Sequence, residues 1–260
     1  DANGLDIGYP TTGIVVRRNY IHDIFFGDGL PHIDGIQKNF ETLSTGTIIE
    51  QNRIYFPQEA KSGVESSYGM MLSGASDWII RNNIFETWGG INTGNSGINQ
   101  NMKIYNNIFR SDISYVNRYW GSGISLRGGS GHEIKNNILV NFRSVSRDAA
   151  FIYLSEGATA TGTNNLFWNS DGTALKFDGY TPDVTDKVGV DPKFVVSYTD
   201  LHLQSTSPAI DAGVNISSVT NDYDGNSRPQ GSAYDIGAYE YVGVPSDTTP
   251  PSAPTGLTVN

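Results

Sequence analysis

One stretch of this sequence concentrates the residue types that bind metal ions or transfer protons. It reads HDIFFGDGLPHIDGIQ and contains His22, Asp23, Asp28, His32 and Asp34. Imidazole nitrogens and carboxylates bind divalent cations, and a His beside a carboxylate can also act as an acid–base pair. In a structural alternative, the Asp side chains cap turns and the His side chains hydrogen-bond to the backbone. The stretch therefore predicts either a catalytic or metal-binding cluster that includes His32 and Asp34, or a braced turn.

A second group of residues is basic and aromatic in a chain that is acidic overall. Five Arg residues fall within 38 positions, with three aromatic residues among them. They are Arg110, Arg118, Arg127, Arg143 and Arg147, together with Tyr115, Tyr119 and Trp120. Guanidinium groups form paired hydrogen bonds with carboxylates, and aromatic rings stack on sugar faces, so the group predicts a binding site for a uronic-acid polymer. In the structural alternative these Arg residues pair with Asp112, Asp148 and Glu156 and brace long loops.

The elements that position these residues are marked by a repeat. An Asn is followed two residues later by Ile or Leu six times, at Asn-to-Asn steps of 33, 30, 24, 30 and 28 residues. The pairs are Asn19/Ile21, Asn52/Ile54, Asn82/Ile84, Asn106/Ile108, Asn136/Ile138 and Asn164/Leu166. Segments such as DWIIRNNIF and HEIKNNILV are short and β-branched, which indicates strands in the coils of a solenoid. We expect the Asn side chains to occupy bends and bond from coil to coil, and the apolar residue two positions on to point inward.

A second repeat lies between these marks, where a small residue precedes an apolar one, as in Gly35-Ile36 and Gly90-Ile91. If the apolar residues point inward, the next residue in each coil points outward by the period of two. The predicted outer row is Asp6, Gln37, Met71, Asn92, Ser125, Tyr153 and Lys176. One outward step further lie Asn39, Ser73, Arg127, Ser155 and Asp178. This polar face suits a groove in which Gln37, Asn92 and Tyr153 bind a sugar chain, although a plain solvated face has the same pattern.

The two repeats resemble the right-handed parallel β-helix of pectate lyases and related polysaccharide-active proteins, over residues 4 to about 178. The resemblance predicts an all-β fold, a right-handed parallel β-helix with a C-terminal capping segment. It also implies β-elimination, in which a cation neutralises a uronate carboxylate and a base removes the adjacent proton. Pectate lyases commonly use Ca2+ held by acidic residues for the first task and Arg or Lys for the second. On this chain the base candidates are Arg127 and Lys176, and the calcium candidates are Asp34 and Asp178.

Two positions for the active centre remain open, because Asp34 and Arg127 are three coils apart, about 14 Å at the strand spacing of a sheet. The centre is marked either by His32 with Asp34 or by Arg127 with Arg147. HIDGI resembles the NTDGI of polygalacturonases and SGHEIK partly matches that family's His motif, but ESSYGMML lacks their adjacent Asp pair. A glycoside hydrolase is therefore the third hypothesis. The first hypothesis is a polysaccharide lyase. The second is a non-catalytic surface β-helix that binds glycan or serves as a stalk.

The segment after the coils resembles the C-terminal cap of many bacterial surface β-helix proteins. The matching motifs are SPAIDAG, DYDGNSRP and DIGAYEY. We expect this segment to cover the last coil with an apolar face. That face comprises Phe194, Leu201, Leu203, Ile210, Ile236 and Tyr239. Asp222, Asp224 and Asn226 alternate like calcium ligands, but no Glu closes the loop at EF-hand spacing, so the alternatives are a bound cation and a turn pinned by carboxylates and Arg228.

Composition limits the partners of the protein. The chain has no Cys, which excludes disulfides, thiolate metal sites and Cys nucleophiles. Twenty-seven acidic against 17 basic residues give a net charge of −10, which argues against nucleic acid and anionic membranes as partners. No apolar run approaches the roughly 20 residues of a membrane span. We expect a monomer, extracellular or on a bacterial cell surface, that binds an acidic polysaccharide and takes Ca2+ as its candidate cofactor.

The sequence predicts three regions. Residues 1–180 are β-helix coils, and because the first residues already match the middle of a coil, we expect earlier coils before Asp1. Residues 181–242 are the cap. Residues 243–260 contain PSDTTPPSAPTGLTVN, which resembles a linker followed by the opening strand of a fibronectin type III domain.

Overall fold

The computed structural model describes eight stretches of the chain, and all of their regular structure is β. The stretches are residues 2–8, 10–22, 33–38, 43–56, 67–94, 99–112, 121–142 and 150–243. Within these residues there are 23 strands and no helix. Three long parallel sheets contain most of the strands, and successive repeats of the sequence contribute one strand to each sheet in turn.

Strands are numbered along the chain, and every pairing within the three long sheets is parallel. Sheet 1 contains β1 (Ala2–Asp6), β4 (Ile33–Lys38), β8 (Ser67–Leu72), β12 (Gly89–Thr93), β15 (Ile124–Arg127) and β18 (Ile152–Ser155). Sheet 2 contains β2 (Val15–Arg17), β6 (Ile48–Glu50), β10 (Ile79–Arg81), β13 (Lys103–Tyr105), β16 (His132–Lys135) and β19 (Ala160–Thr163). Sheet 3 contains β3 (Tyr20–His22), β7 (Arg53–Tyr55), β11 (Ile84–Glu86), β14 (Ile108–Arg110), β17 (Ile138–Val140), β20 (Leu166–Trp168) and β21 (Lys187–Val188).

Two short pairs complete the strands. One is the parallel pair β5 (Ser44–Thr45) and β9 (Ala75–Ser76), and the other is the antiparallel pair β22 (Phe194–Val196) and β23 (Asp200–Leu203). Each coil therefore passes through sheets 1, 2 and 3 before the chain rises to the next coil. This is a parallel β-helix, which confirms the fold class predicted from the repeat.

The core of the β-helix is a set of apolar columns, one from each sheet, because in-register parallel pairing places like residues above one another. Sheet 1 contributes Ile36, Met70, Ile91, Ile124 and Ile152. Sheet 2 contributes Val16, Ile49, Ile80, Ile104 and Ile134. Sheet 3 contributes Ile54, Phe85, Phe109, Leu139 and Phe167. Full burial of one such side chain stabilises the fold by about 1.5–3 kcal/mol. The prediction that the sheet 1 column points inward is confirmed.

The corner between sheets 2 and 3 is held by a ladder of buried Asn side chains. The ladder runs through Asn19, Asn52, Asn83, Asn107, Asn137 and Asn165. At each step one Oδ1 accepts the backbone N–H and the side-chain N–H of the preceding Asn; Asn107 Oδ1 does so from Asn83 at 2.9 and 3.0 Å. The second N–H of the side-chain amide donates to a backbone carbonyl, as Asn107 does to the Ile80 carbonyl at 2.9 Å. Every amide in the middle of the ladder is therefore satisfied away from water.

The predicted Asn ladder is wrong by one position in four of the six coils. Asn82, Asn106, Asn136 and Asn164 immediately precede the ladder residues and lie in the left-handed backbone region, with φ between 51° and 58°. The shift also reverses the expected inward residues in these coils. Ile84, Ile108, Ile138 and Leu166 point away from the β-helix core, and the next residue in each coil points into it.

These outward apolar residues form a second core with the C-terminal segment, residues 191–243. Phe194, Leu201, Leu203, Ile236 and Tyr239 are buried against the outer row of sheet 3, and Ile210 packs there partly buried. The predicted apolar face is therefore present. However, it lies along the side of the β-helix and does not cover the last coil.

The residue immediately before each ladder Asn holds this C-terminal segment in place. In five successive coils its side-chain amide donates to a backbone carbonyl of the segment. The pairs are Gln51 to Asp222 (2.7 Å), Asn82 to Asn221 (2.6 Å), Asn106 to Asp235 (3.0 Å), Asn136 to Val214 (2.7 Å) and Asn164 to Ala212 (2.9 Å). At the last core layer, Phe177 packs edge-on against Phe167 at 4.9 Å, with Tyr180 beside both rings.

We predict that Asn107→Ala destabilises the protein by at least about 3 kcal/mol, because it leaves the buried Asn83 N–H and the Ile80 carbonyl without this partner. Asn19→Ala is the matched control, since Asn19 lies at the exposed end of the ladder and no other ladder residue donates to its Oδ1 in the described part of the chain. It should cost less than about 1 kcal/mol. Urea unfolding measures both free energies, and equal losses would show that the ladder does not depend on its interior amides.

Candidate functional site

The outer row predicted for sheet 1 has the expected register through Tyr153. The aligned residues are Asp6, Gln37, Met71, Asn92, Ser125 and Tyr153. Three of the predicted groove residues, Gln37, Asn92 and Ser125, are buried, and Tyr153 is half-buried. Asp6 is exposed at the first coil, and at the last coils the row is partly open to solvent beside the charged residues Arg127 and Glu156.

In the last coil, the position beside Tyr153 belongs to Asp178 and not to Lys176. The backbones of Tyr153 and Asp178 form a parallel bridge, with Leu154 N–H donating to the Asp178 carbonyl at 2.8 Å. Lys176 lies two residues earlier, where its carbonyl accepts the Phe151 N–H at 2.9 Å. The predicted position of Lys176 in the outer row is thus wrong by two residues. Asp178 is exposed.

Arg127, Tyr153 and Asp178 come together on three successive coils. Arg127 ends β15 and pairs with Ser155 on β18, which places the guanidinium carbon 5.8 Å from the centre of the Tyr153 ring. The guanidinium also lies 3.5 Å from the Glu156 carboxylate, an ion pair that the structural alternative had included. The Arg127 guanidinium therefore lies between the Tyr153 ring and the Glu156 carboxylate, and the next coil places Asp178 alongside Tyr153.

Asp34 lies in β4 and is fully buried. Its Oδ1 accepts the backbone N–H of Tyr68, the residue beside it on β8, at 3.2 Å. His132 of the SGHEIK motif is also buried, in sheet 2, where its Nδ1 accepts the Met102 N–H at 3.3 Å and burial lowers its pKa. These positions give both residues a role in the fold and leave them on different sheets.

Arg110 lies on the outer row of sheet 3, away from Arg127. Its side chain is 7% exposed, pairs with Glu86 and lies 4.8 Å from the Tyr198 ring centre. Arg110 thus pairs with an acidic residue, as the structural alternative expected, but the partner is Glu86 and not one of the predicted acids. The remaining candidates His32, Arg118, Tyr119, Trp120, Arg143 and Arg147 lie outside the described residues, as do Asp23 and Asp28.

Asp222 is a fully buried anchor of its turn. Its Oδ1 accepts the Asn226 N–H at 2.8 Å, and its Oδ2 accepts the Asn226 side chain and the Glu240 N–H, each at 3.0 Å. The fully buried Arg228 pairs with Glu240 at 2.5 Å and donates to the Asn82 side chain at 3.2 Å. These contacts match the interpretation of a turn pinned by carboxylates and Arg228. No group of three or more His, Cys, Asp or Glu side chains is arranged to hold a metal ion in the described residues.

Asp224 instead takes part in a His–carboxylate cluster that the sequence analysis did not identify. His202 lies between Asp200, 2.5 Å from Nδ1, and Asp224, 2.8 Å from Nε2, and its ring packs 4.0 Å from Tyr239. Burial lowers the pKa of His202, but the hydrogen bonds and charges of Asp224 and Asp200 outweigh it and raise the pKa above its usual value. The cluster borders a cavity of about 260 Å3.

A basic cluster on sheet 2 was also missed. Arg17, Arg18 and Arg81 surround Glu50 at a cavity of about 250 Å3. The repeat itself carried the signal, because aligning VVRRN, IIEQN and IIRNN on the ladder Asn places Arg17, Glu50 and Arg81 in one column.

The fold and these clusters define the chain as a parallel β-helix protein. Compared with models of known protein families and with curated proteins, the chain matches none. The described residues contain no long apolar helix of the kind that crosses a membrane.

We predict that the contribution of His202 to stability falls as pH rises. Because the folded-state pKa is raised, the contribution is fully present below the unfolded pKa of about 6.5 and is lost as pH rises through the folded value. All three side chains are 41–43% exposed, so solvent screening should keep the effect below about 1 kcal/mol and high salt should reduce it.

The measurement is the difference in unfolding free energy between the native protein and His202→Gln from pH 5 to pH 9, with urea as denaturant. The native protein should lose its advantage as the pH increases. A difference that stays constant or grows with pH would contradict the assigned ion pairs.

Proposed function

We propose that this β-helix binds an acidic polysaccharide along the outer face of sheet 1, with Arg127 and Tyr153 at the centre of the site. The observation that supports this most is the placement of the two side chains on adjacent strands, 5.8 Å apart from guanidinium carbon to ring centre. A guanidinium can form two hydrogen bonds with a uronate carboxylate, and an aromatic ring beside it offers a flat apolar surface to a sugar. The ion pair with Glu156 orients the guanidinium.

The geometry of the coils suits an extended polymer. The three strand positions that carry Arg127, Tyr153 and Asp178 lie on successive coils, about 4.8 Å apart along the β-helix axis. Tyr153 and Asp178 are aligned along the axis, and Arg127 lies two residues further along its strand, so a chain lying along the axis passes all three. Gln37 and Asn92, which were predicted to line the groove in earlier coils, are buried. The groove is therefore shorter than predicted and does not include them. The site that we propose therefore covers the last coils of sheet 1.

For the reaction at this site we propose β-elimination. Arg127 neutralises the uronate carboxylate, which makes the proton on the adjacent ring carbon acidic. When that proton leaves, its electron pair forms a carbon–carbon double bond, the bond to the glycosidic oxygen breaks, and the departing oxygen takes up a proton. We assign both proton transfers to Tyr153: as a phenolate its oxygen takes the ring proton, and the hydroxyl so formed gives that proton to the departing oxygen. Asp178, which is exposed in the next coil, is the residue we assign to Ca2+ if calcium assists the neutralisation.

A second candidate function is glycan binding without cleavage. It is favoured by the burial of Asp34 and by the displacement of Lys176 from the outer row, which leave only part of the predicted catalytic set beside Arg127. Both candidates place the protein outside the cell or on a bacterial surface, acting as a monomer on a polysaccharide.

We predict that Arg127→Gln weakens binding of uronic-acid oligosaccharides by about tenfold or more, because it removes a charge-assisted hydrogen bond pair. Lys103→Gln removes one positive charge from the outer row of sheet 2 and should leave this binding unchanged. Calorimetric titration of both variants measures the change. If the native protein binds no uronan, or if the two variants lose affinity equally, the proposed site is wrong.

We predict that Tyr153→Phe separates the two candidates. If the protein is a lyase, ultraviolet detection of unsaturated product from pectate, alginate or another uronan should show turnover in the native protein and a loss of at least about 100-fold in Tyr153→Phe, with binding retained. Repeating the assay with a chelator tests the role of Ca2+. Binding with no product from any uronan would reject β-elimination and leave the non-catalytic function.

A further inference from the structure

A second polar cavity lies on sheet 2, on a different face from the proposed polysaccharide site. It has a volume of about 250 Å3 and opens between the outer face of the first coils and the turn that contains Asn221 and Gly225. Its lining residues are Arg17, Arg18, Glu50, Gln51, Arg81, Asn82, Thr220, Asn221 and Gly225. The volume is below the roughly 300–1,000 Å3 of sites for drug-sized ligands, so the cavity fits a small ion or a single sugar unit.

The charge of this cavity is positive in a protein whose net charge is −10. Three guanidinium groups face one carboxylate, that of Glu50. Each Glu50 oxygen is already taken by a different Arg, Oε1 by Arg17 and Oε2 by Arg81, the latter at 2.6 Å. Glu50 is buried, so it is fixed in place and cannot neutralise the third guanidinium. An excess of two positive charges remains at the cavity.

The Arg side chains also keep donors that the fold does not use. Arg17 and Arg81 bond Glu50 through Nε and Nη2, and Arg18 donates from Nε to Gln51 Oε1 at 3.2 Å. Among the described residues, Nη1 of all three and Nη2 of Arg18 have no hydrogen-bond partner. A guanidinium presents its donors as a planar fork that matches the oxygens of a carboxylate or a sulfate.

Arg18 is not explained by the role of its column in the fold. It occupies the left-handed position before the ladder Asn, where the next five coils carry Gln51, Asn82, Asn106, Asn136 and Asn164. Each of those amides holds the C-terminal segment, as described above. Arg18 makes no such bond in the described structure, and its guanidinium faces the cavity.

We propose that this cavity binds an oxyanion, either a free inorganic anion such as sulfate or the carboxylate of a sugar acid, held by Arg18 with Arg17 and Arg81. The bound anion would supply a second negative charge beside Glu50 and would accept hydrogen bonds from the guanidinium groups. This site lies on sheet 2 and the polysaccharide site on sheet 1, so either can fail without the other.

The experiment is calorimetric titration of the full chain with sulfate, with a monomeric uronate and with a neutral monosaccharide, using native protein, Arg18→Gln and Lys103→Gln. Gln is the residue that the next coil carries at this backbone position, with φ of 56° at Gln51 against 58° at Arg18, so the variant should fold. Thermal unfolding checks this directly. Lys103→Gln removes the same charge elsewhere on sheet 2.

The native protein and Lys103→Gln should show saturable binding of at least one anion, and Arg18→Gln should weaken it by about tenfold. Sulfate binding alone assigns the site to inorganic oxyanions, and uronate binding assigns it to sugar acids. The neutral monosaccharide should not bind at this site. Absence of saturable anion binding, or equal weakening by Lys103→Gln, would overturn the proposal.

Discussion

The hydrogen bonds between buried Asn side chains at the corner of sheets 2 and 3 set the register of the whole β-helix. In the four coils with an Asn doublet, a shift that brings the following residue into the ladder would place an Ile or Leu there and leave amides without partners, which costs several kcal/mol in a buried site. Because the coils are held in register, like residues stack in all three sheets, and this stacking produces the apolar columns inside. It also places Arg17, Glu50 and Arg81 in one outer column of sheet 2, and it brings the Arg127 side chain on β15 beside Tyr153 on β18.

The Asn doublets combine two roles in adjacent residues. In Asn106–Asn107, the second side chain joins the ladder inside, and the first adopts a left-handed backbone and reaches outward to the C-terminal segment. Asn suits both positions, since it tolerates positive φ and its amide both donates and accepts. The same two-residue corner therefore connects the β-helix core to the second core on the outer face of sheet 3.

Much of the fold could be predicted from the sequence, because a repeat fixes coil length and strand order. The register of sheet 3 could not, since in NNIF both Asn and both apolar residues are candidates, and Ile84 and Phe85 are both buried. Alternation identifies an inner face only where the outer face meets water, and here the C-terminal segment covers it. Lys176 was misplaced because neither of the last two coils carries the Gly that marks the earlier ones. The meeting of His202 with Asp224, 22 residues apart, follows from packing that no local pattern records.

The longitudinal course of the C-terminal segment has a consequence for how this molecule unfolds. Solenoids are held mainly by contacts between neighbouring coils, so their ends can open one repeat at a time. Here one continuous segment bonds five successive coils, from Gln51 in the second to Asn164 in the sixth. Opening any one of those coils also strips a bond from a segment shared by the other four. The C-terminal segment thus couples the repeats into a single cooperative unit. The part of the sequence that lacks the repeat makes the five coils unfold together.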